Sequence, residues 1–280
     1  DESALADLAT RTRALASTVG PYARHGLALV RACAEAGTHY ADLTGEVLFV
    51  RQSIDRFDQT ARSTGARIVH SCGVDSVPSD LGVLLLHERA LADGAGGLGA
   101  TTAVMVARGG VSGGTIDSMR VQVDSVSGDP SARRLVTDPY GLSPDRAGEP
   151  ALGDERETSR VWFDEGSGGW VGPFVMAPFN TRVVRRSNAL RGWAYGRTFR
   201  YRELTGFGPG VKGRAAALAA TGALGGLMFA MTKGPLRRVA DRVLPDPGEG
   251  PSEQTRVNGF FRLRLRTTTG TGARYLATVA

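Results

Sequence analysis

The sequence predicts an α/β protein: a parallel sheet over residues 1–93, followed by an α+β domain over residues 94–280 with a mainly antiparallel sheet. Three observations predict it. Up to residue 93, short β-rich runs alternate with runs of helical spacing, and such alternation needs crossover connections and therefore parallel strands. At Gly94 a glycine-rich stretch breaks the rhythm. Beyond it, residues 259–267 alternate Phe261, Leu263 and Leu265 with arginines, the period-two pattern of an edge-type strand.

Taken in order, Leu5 and Leu8 share one face of a helix over residues 3–10. Residues 13–19 form a strand that ends in Gly20-Pro21. Leu27, Val30 and Ala34 recur at helical spacing across 23–36, and Gly37 stops that helix. Residues 39–43 give a second strand, and 47–63 a second helix with Leu48, Ile54 and Phe57 near one side. Gly65 ends it, and 66–72 form a third strand. Asp75 or Ser76 caps the next helix, which has Pro78 in its first turn and runs to about Leu91. Gly94-Ala95-Gly96-Gly97-Leu98-Gly99 matches G-x-G-x-x-G letter for letter. Dinucleotide binding needs a strand before that pattern and a helix after it; here the order is reversed, so it reads as an interdomain turn. The second half reads as a strand over 100–107 and a helix from Gly113-Gly114-Thr115 to Ser127. A long surface loop over 129–154 follows, then a strand at 160–164, a short helix at 179–186 and a strand at 194–203. Next come an apolar stretch to residue 232 and a polar loop over 246–253.

The formal charge is +6, from 34 basic and 28 acidic residues, and every basic residue except Lys212 and Lys233 is arginine. The arginines are spread along the whole chain rather than clustered with aromatics, which argues against nucleic acid as a partner. A modest basic balance suits an anionic cofactor or substrate. Cys33 and Cys72 form no Cys-x-x-Cys pair and no zinc spacing with the four histidines. No metal site is expected. The thiols read as reduced and mostly buried, in a cytoplasmic protein. The chain opens Asp1-Glu2-Ser3, without Met, basic segment or apolar run, which suggests an interior beginning.

Parallel sheets bind ligands at the carboxyl ends of their strands, and the unusual residues sit there. The first strand end carries Thr18, Val19, Gly20, Pro21 and Tyr22. Gly20 and Pro21 make either an ordinary turn or a wall for a cofactor ribose or nicotinamide, and Tyr22 either stacks there or covers its helix. The second end carries Thr44, Gly45 and Glu46. Glu46 either sits near a helix dipole beside a hydroxyl cap or meets a carboxamide or substrate. The third end carries Cys72, Gly73, Val74, Asp75 and Ser76, followed by Ser79 and Asp80. One cap explains one of these four acids and hydroxyls, not all of them. A carboxylate with hydroxyls at a helix start is equipped to position a carbonyl or relay a proton.

These three segments, with Ala32-Cys33, with the run from Gly37 to Glu46 and with the run from Cys72 to Gly82, resemble the saccharopine-dehydrogenase-like oxidoreductases. Within them they are most similar to the mycobacterial trans-acting enoyl reductases. The likeness is specific over residues 1–130 and rests on order and character beyond. It implies a Rossmann-type NAD(P)-binding domain, here partial. The family's leading strand and glycine-rich phosphate loop do not precede Asp1, so residues 1–93 supply one half of the sheet. It implies NADPH as cofactor, with NADH the alternative, and a second domain that closes over the nicotinamide and in many members forms a homodimer. It further implies reduction of a carbon–carbon double bond in an acyl chain held on a carrier protein or polyketide synthase, in lipid biosynthesis. Thr18, Val19, Gly20, Pro21, Gly45, Glu46, Cys72 and Gly73 would then hold the cofactor, and Tyr22, Asp75 and Ser76 would serve catalysis.

On that reading Ser76, Tyr22 or a backbone N–H near Gly73 holds the thioester carbonyl while enolate charge develops. Asp75 orients rather than protonates, because an ordinary carboxylate is ionised at neutral pH. Solvent supplies the proton. Two other readings stay open: an amino-acid or imine oxidoreductase, and a noncatalytic lipid-associated protein that keeps the fold. The stretch 214–232 bears on the last. It is just short of a membrane span, rich in Ala and Gly, and followed by Lys233, Arg237 and Arg238. It reads first as a buried or groove-lining helix, and second as a membrane-surface segment over 214–238 at the inner face of the plasma membrane.

Overall fold

The computed structural model describes residues 1–110, 113–232, 236–238, 242, 244 and 249–280. Lys233 and residues 246–248 of the expected polar loop lie outside the described residues.

The first sheet has the order β1-β2-β3, from β1 (Ala14–Ser17), β2 (His39–Asp42) and β3 (Ile68–Val69), with both pairings parallel. The helices are α1 (Glu2–Thr10), α2 (Tyr22–Ala36) and α3 (Val47–Thr64). Gly37 and Gly65 end α2 and α3 at φ +73 and +81, backbone that a residue with a Cβ resists. The packed side includes Val30 and Cys33 of α2, Tyr40 of β2 and Val47 and Phe49 of α3. The strands are shorter than the expected 13–19, 39–43 and 66–72, with β3 reduced to two residues.

The second sheet has six strands in the order β5-β6-β7-β4-β8-β9. They are β4 (Leu98–Arg108), β5 (Trp162–Asp164), β6 (Gly169–Pro173), β7 (Arg200–Gly208), β8 (Phe260–Thr269) and β9 (Arg274–Val279). Only β4 with β7 is parallel; the other four pairings are antiparallel. The α/β class with a mainly antiparallel second sheet therefore holds. The remaining helices are α4 (Val77–Ala92), α5 (Gly113–Ser127), α6 (Pro130–Thr137), α7 (Ala177–Leu190), α8 (Gly210–Thr232) and α9 (Glu253–Val257).

Several elements differ from expectation. The expected loop 129–154 contains α6, which has Asp129 as a working cap and Pro130 in its first turn. The expected strand at 194–203 is displaced to β7, because residues 193–199 are turns. Helix α7 is longer than expected, and β6 and β9 were not anticipated. The turn at Gly94 and Gly96 does join α4 to β4, with φ +64 and +77.

Helix α4 follows the parallel sheet in the chain but packs on the second sheet, against β8, β9 and α7. Val83, Leu86 and Ala90 enter a core with Ala103, Met105, Leu263 and Leu265. Full burial of Val83 or Leu86 contributes about 1.5–3 kcal/mol each. Gly82 permits the approach: a Cβ there would lie 2.8 Å from Leu265. Helix α7 joins the two cores, with Phe179 in the first and Val184 in the second.

Candidate functional site

The three strand ends converge. The Tyr22 hydroxyl donates to the Ser17 carbonyl at 3.0 Å and accepts from the Leu43 N–H at 3.2 Å, tying the first end to the second. The Cys72 N–H donates to the Asp42 carbonyl at 2.7 Å, and the Ser71 N–H to Asp42 Oδ1 at 3.0 Å, tying the second to the third. Val19, Leu43 and Val74, one from each end, are exposed and give the rim an apolar character. Thr18, Gly20 and Cys72 are exposed beside them, whereas Pro21, Tyr22, Glu46 and Gly73 are buried. The Gly20–Pro21 peptide is cis. Cys72, expected to be buried, is not; Cys33 is, and burial raises its thiol pKa to about 11.

Glu46 does not serve its own helix. It occupies the position just before α3, where a capping residue would stand, without its side chain capping that helix. Its carboxylate accepts from the Tyr22 and Ala23 N–H groups at 2.9 and 2.8 Å, and from Ser118 Oγ of α5 at 2.9 Å. It therefore caps α2, occupying the helix N-terminus that a phosphate would otherwise favour. Gly45 lies under Met176, with a Cβ there 3.2 Å from its methyl, and Thr44 Oγ1 accepts the Glu46 N–H.

At the third end Ser76 stands at the start of α4, but its hydroxyl makes no cap. It donates to Asn180 Oδ1 of α7 at 2.8 Å. Asn180 Nδ2 donates in turn to the Asp75 carbonyl at 2.7 Å and to Glu203 Oε2 at 3.0 Å. Tyr201 donates to Glu203 Oε1 at 2.7 Å, and Asp80 accepts from Ser187. Burial outweighs these hydrogen bonds and raises the Glu203 carboxyl to about 6. Glu203 also borders a cavity of about 470 Å³ lined by Thr101, Thr102, Thr158, Trp162 and Arg202 among others.

This leaves Asp75 distinct. Its carboxyl has no ion-pair or side-chain partner among the described residues, and burial raises its pKa. It lies against Gly73, where a Cβ would meet Oδ1 at 2.3 Å. The Gly73 and Val74 N–H groups donate to no protein acceptor among the described residues. Tyr22 and Ser76, by contrast, have both committed their single O–H to other protein groups. Burial pushes the Tyr22 pKa up as well.

Sequence reasoning missed Asn180 and Glu203, and also a buried Asp42–His70–Ser53 chain, with His70 Nδ1 2.6 Å from Asp42 and Nε2 2.8 Å from Ser53 Oγ. Those are the components of a hydrolytic triad, but Ser53 is enclosed in α3 and His70 is wedged edge-on against Phe49 and Tyr40. No substrate reaches it, so it braces β2 to α3.

No family model matches the chain. It is 50% identical over 287 residues to a Mycobacterium tuberculosis protein provisionally named a trans-acting enoyl reductase, covering 99% of this chain and 68% of that one. It is 48% identical over 285 residues to the trans-acting enoyl reductase of Mycobacterium ulcerans, with the same coverage. The chain belongs to the trans-acting enoyl reductase family. It is an oxidoreductase, and the enoyl reductase reading stands ahead of the amino-acid and noncatalytic ones. The apo saccharopine dehydrogenase (L-Glu forming) of Saccharomyces cerevisiae is a structural neighbour at TM-score 0.45 and 10% identity, over all of this chain and 73% of that one. In this reductase the three converging ends share an apolar rim, exposed backbone at Gly20, and two N–H groups without protein acceptors among the described residues.

Proposed function

We propose that the protein reduces the double bond of an enoyl thioester held on a polyketide synthase or acyl carrier, in the cytoplasm, with NADPH preferred over NADH. The observation that carries this reading is the convergence of the three strand ends around Asp75. When bound there, the reduced nicotinamide supplies the hydride for the β-carbon. Val19, Leu43 and Val74 exclude water from the ring face. Thr18, Val19, Gly20 and Pro21 of the first end, Gly45 of the second, and Cys72 and Gly73 of the third form the backbone cradle, and Glu46 acts through α2 rather than by touching the cofactor.

The Gly73 and Val74 N–H groups donate hydrogen bonds to the thioester oxygen as negative charge grows on it. Asp75, read from sequence as an orienter, is here the proton donor to the α-carbon. Its carboxyl is desolvated and has no cation to hold it ionised. Tyr22 and Ser76 position the ends. Tyr22 links the first two, and Ser76 with Asn180 and Glu203 holds the Asp75 loop against the second sheet.

The test uses the full chain, an enoyl-loaded carrier protein, and NADPH or NADH. Loss of the nicotinamide near-ultraviolet absorbance, together with gain of two hydrogens on the acyl chain by mass spectrometry, is expected. Folded protein that binds the carrier but leaves the double bond intact with both cofactors would overturn it.

A further inference from the structure

We infer that α8 is a lipid-docking helix whose outward face lies in the interfacial layer of an anionic phospholipid bilayer. Helix α8 is long and apolar enough to cross a membrane, yet only 11% of its apolar window is buried. The sequence favoured a buried or groove-lining helix, and the structure places it otherwise. A helix with one face on a protein core normally turns a polar face to water. Here the outward arc carries Val211, Leu218 and Phe229, which are 84, 54 and 57% exposed, with exposed Ala215, Ala219, Gly222 and Gly226 between them. An apolar arc running the length of a 23-residue helix marks a binding surface.

The attachment of α8 decides how it meets a bilayer. Its inner stripe includes Gly213, Ala217 and Met231, which are buried, and the helix packs on β6, β7 and α5. At Gly213 the approach is so close that a Cβ would lie 2.1 Å from the Gly208 carbonyl oxygen. Past its end, Arg237 grips both carboxylate oxygens of Asp124 on α5, at 2.5 and 2.9 Å. The helix is thus held flat along the protein at both ends. Spanning a bilayer would require it to leave the sheet, whereas lying in the interface would not.

Charge selects the occupant. Residues 204–240 contain five basic side chains and not one Asp or Glu. Of these, Lys212 and Arg238 are exposed at opposite ends of the apolar arc, and Arg214 lies over the Trp170 ring at 5.2 Å. Anionic headgroups complement that arrangement. A second copy does not: paired in either direction, two such helices would bring basic end against basic end.

The test is flotation of the full chain with vesicles of phosphatidylcholine alone, or mixed with phosphatidylglycerol, at low and high salt. Binding to the mixed vesicles, weakened by salt and nearly absent with phosphatidylcholine alone, is expected. Leu218→Glu and Phe229→Glu should each reduce it about tenfold or more. Lys212→Glu and Arg238→Glu should reduce it about fivefold per unit of charge. Circular dichroism should match the parent in each case, because these side chains are exposed. The inference fails if the parent chain does not float with anionic vesicles, or if the four variants float as it does. It also fails if sedimentation reveals a dimer that Leu218→Glu dissociates. None of these outcomes touches the proposed reduction, which is read in vesicle-free buffer.

Discussion

Replacing Glu46 by Gln separates two roles that its position allows. The carboxylate accepts three hydrogen bonds: Tyr22 N–H at 2.9 Å and Ser118 Oγ at 2.9 Å on one oxygen, and Ala23 N–H at 2.8 Å on the other. A glutamine can keep its oxygen toward the first two donors, but its NH₂ then faces the Ala23 N–H. One charge-assisted bond is lost, worth about 1.5–3 kcal/mol, and the remaining two weaken as the charge disappears. The total is about 2–4 kcal/mol, which for a chain of this size lowers the Tm on the order of 10 °C. Ser118→Ala removes a single donor from the same carboxylate and should cost about 1 kcal/mol. Thermal melts of the three proteins, followed by circular dichroism, give the comparison. If Glu46→Gln melts with the parent while nicotinamide affinity falls tenfold, the carboxylate serves the cofactor and the capping argument is wrong.

Three further outcomes follow from the same geometry. Asp75→Asn should preserve folding and nicotinamide affinity while turnover falls about a hundredfold or more, the usual scale for a lost general acid; normal turnover would remove Asp75 from the chemistry. Because Asp75 must be protonated to donate, and burial raises its pKa, kcat should decline as pH rises through that raised value, a limb that Asp75→Asn should lack. Glu203 binds its proton more tightly folded, at about 6, than at the ordinary 4.5, so its stabilisation is complete below the unfolded value and is lost as pH rises through the folded one. Denaturant titrations from acid to neutral pH should show a loss of about 2 kcal/mol that Glu203→Gln abolishes.

The parallel half was legible because its signals are local. Helices α2 and α3 each end at a glycine, each strand ends at an unusual cluster, and alternation alone dictates the crossovers. The clusters near residues 20, 45 and 75 do meet. Their partners were not legible, since those bonds reach far along the chain. Glu46 caps a helix that starts 24 residues earlier, and Ser76 bonds to Asn180 104 residues later. Glu203 did leave one trace: it shares strand parity with the core residue Tyr201, so a carboxylate pointed inward. Asp129-Pro130 likewise spelled a helix start inside a stretch whose composition suggested a loop. Glycine and proline at both ends of Gly169–Pro173 disguised β6. The length and composition of α8 were plain, but whether it faced the core or the outside depended on the sheet it rests on.

Helix α4 begins at the end of one sheet and spends its length on the other. Its first turn carries Asp75's neighbours, and its body is locked to β8 and β9, which are formed by the last residues of the chain. Anyone building hybrids of this enzyme therefore cannot splice at the obvious seam near residue 93. A donor's residues 1–93 would arrive with a loop whose posture is dictated by the recipient's carboxyl-terminal hairpin, so the two must be exchanged together.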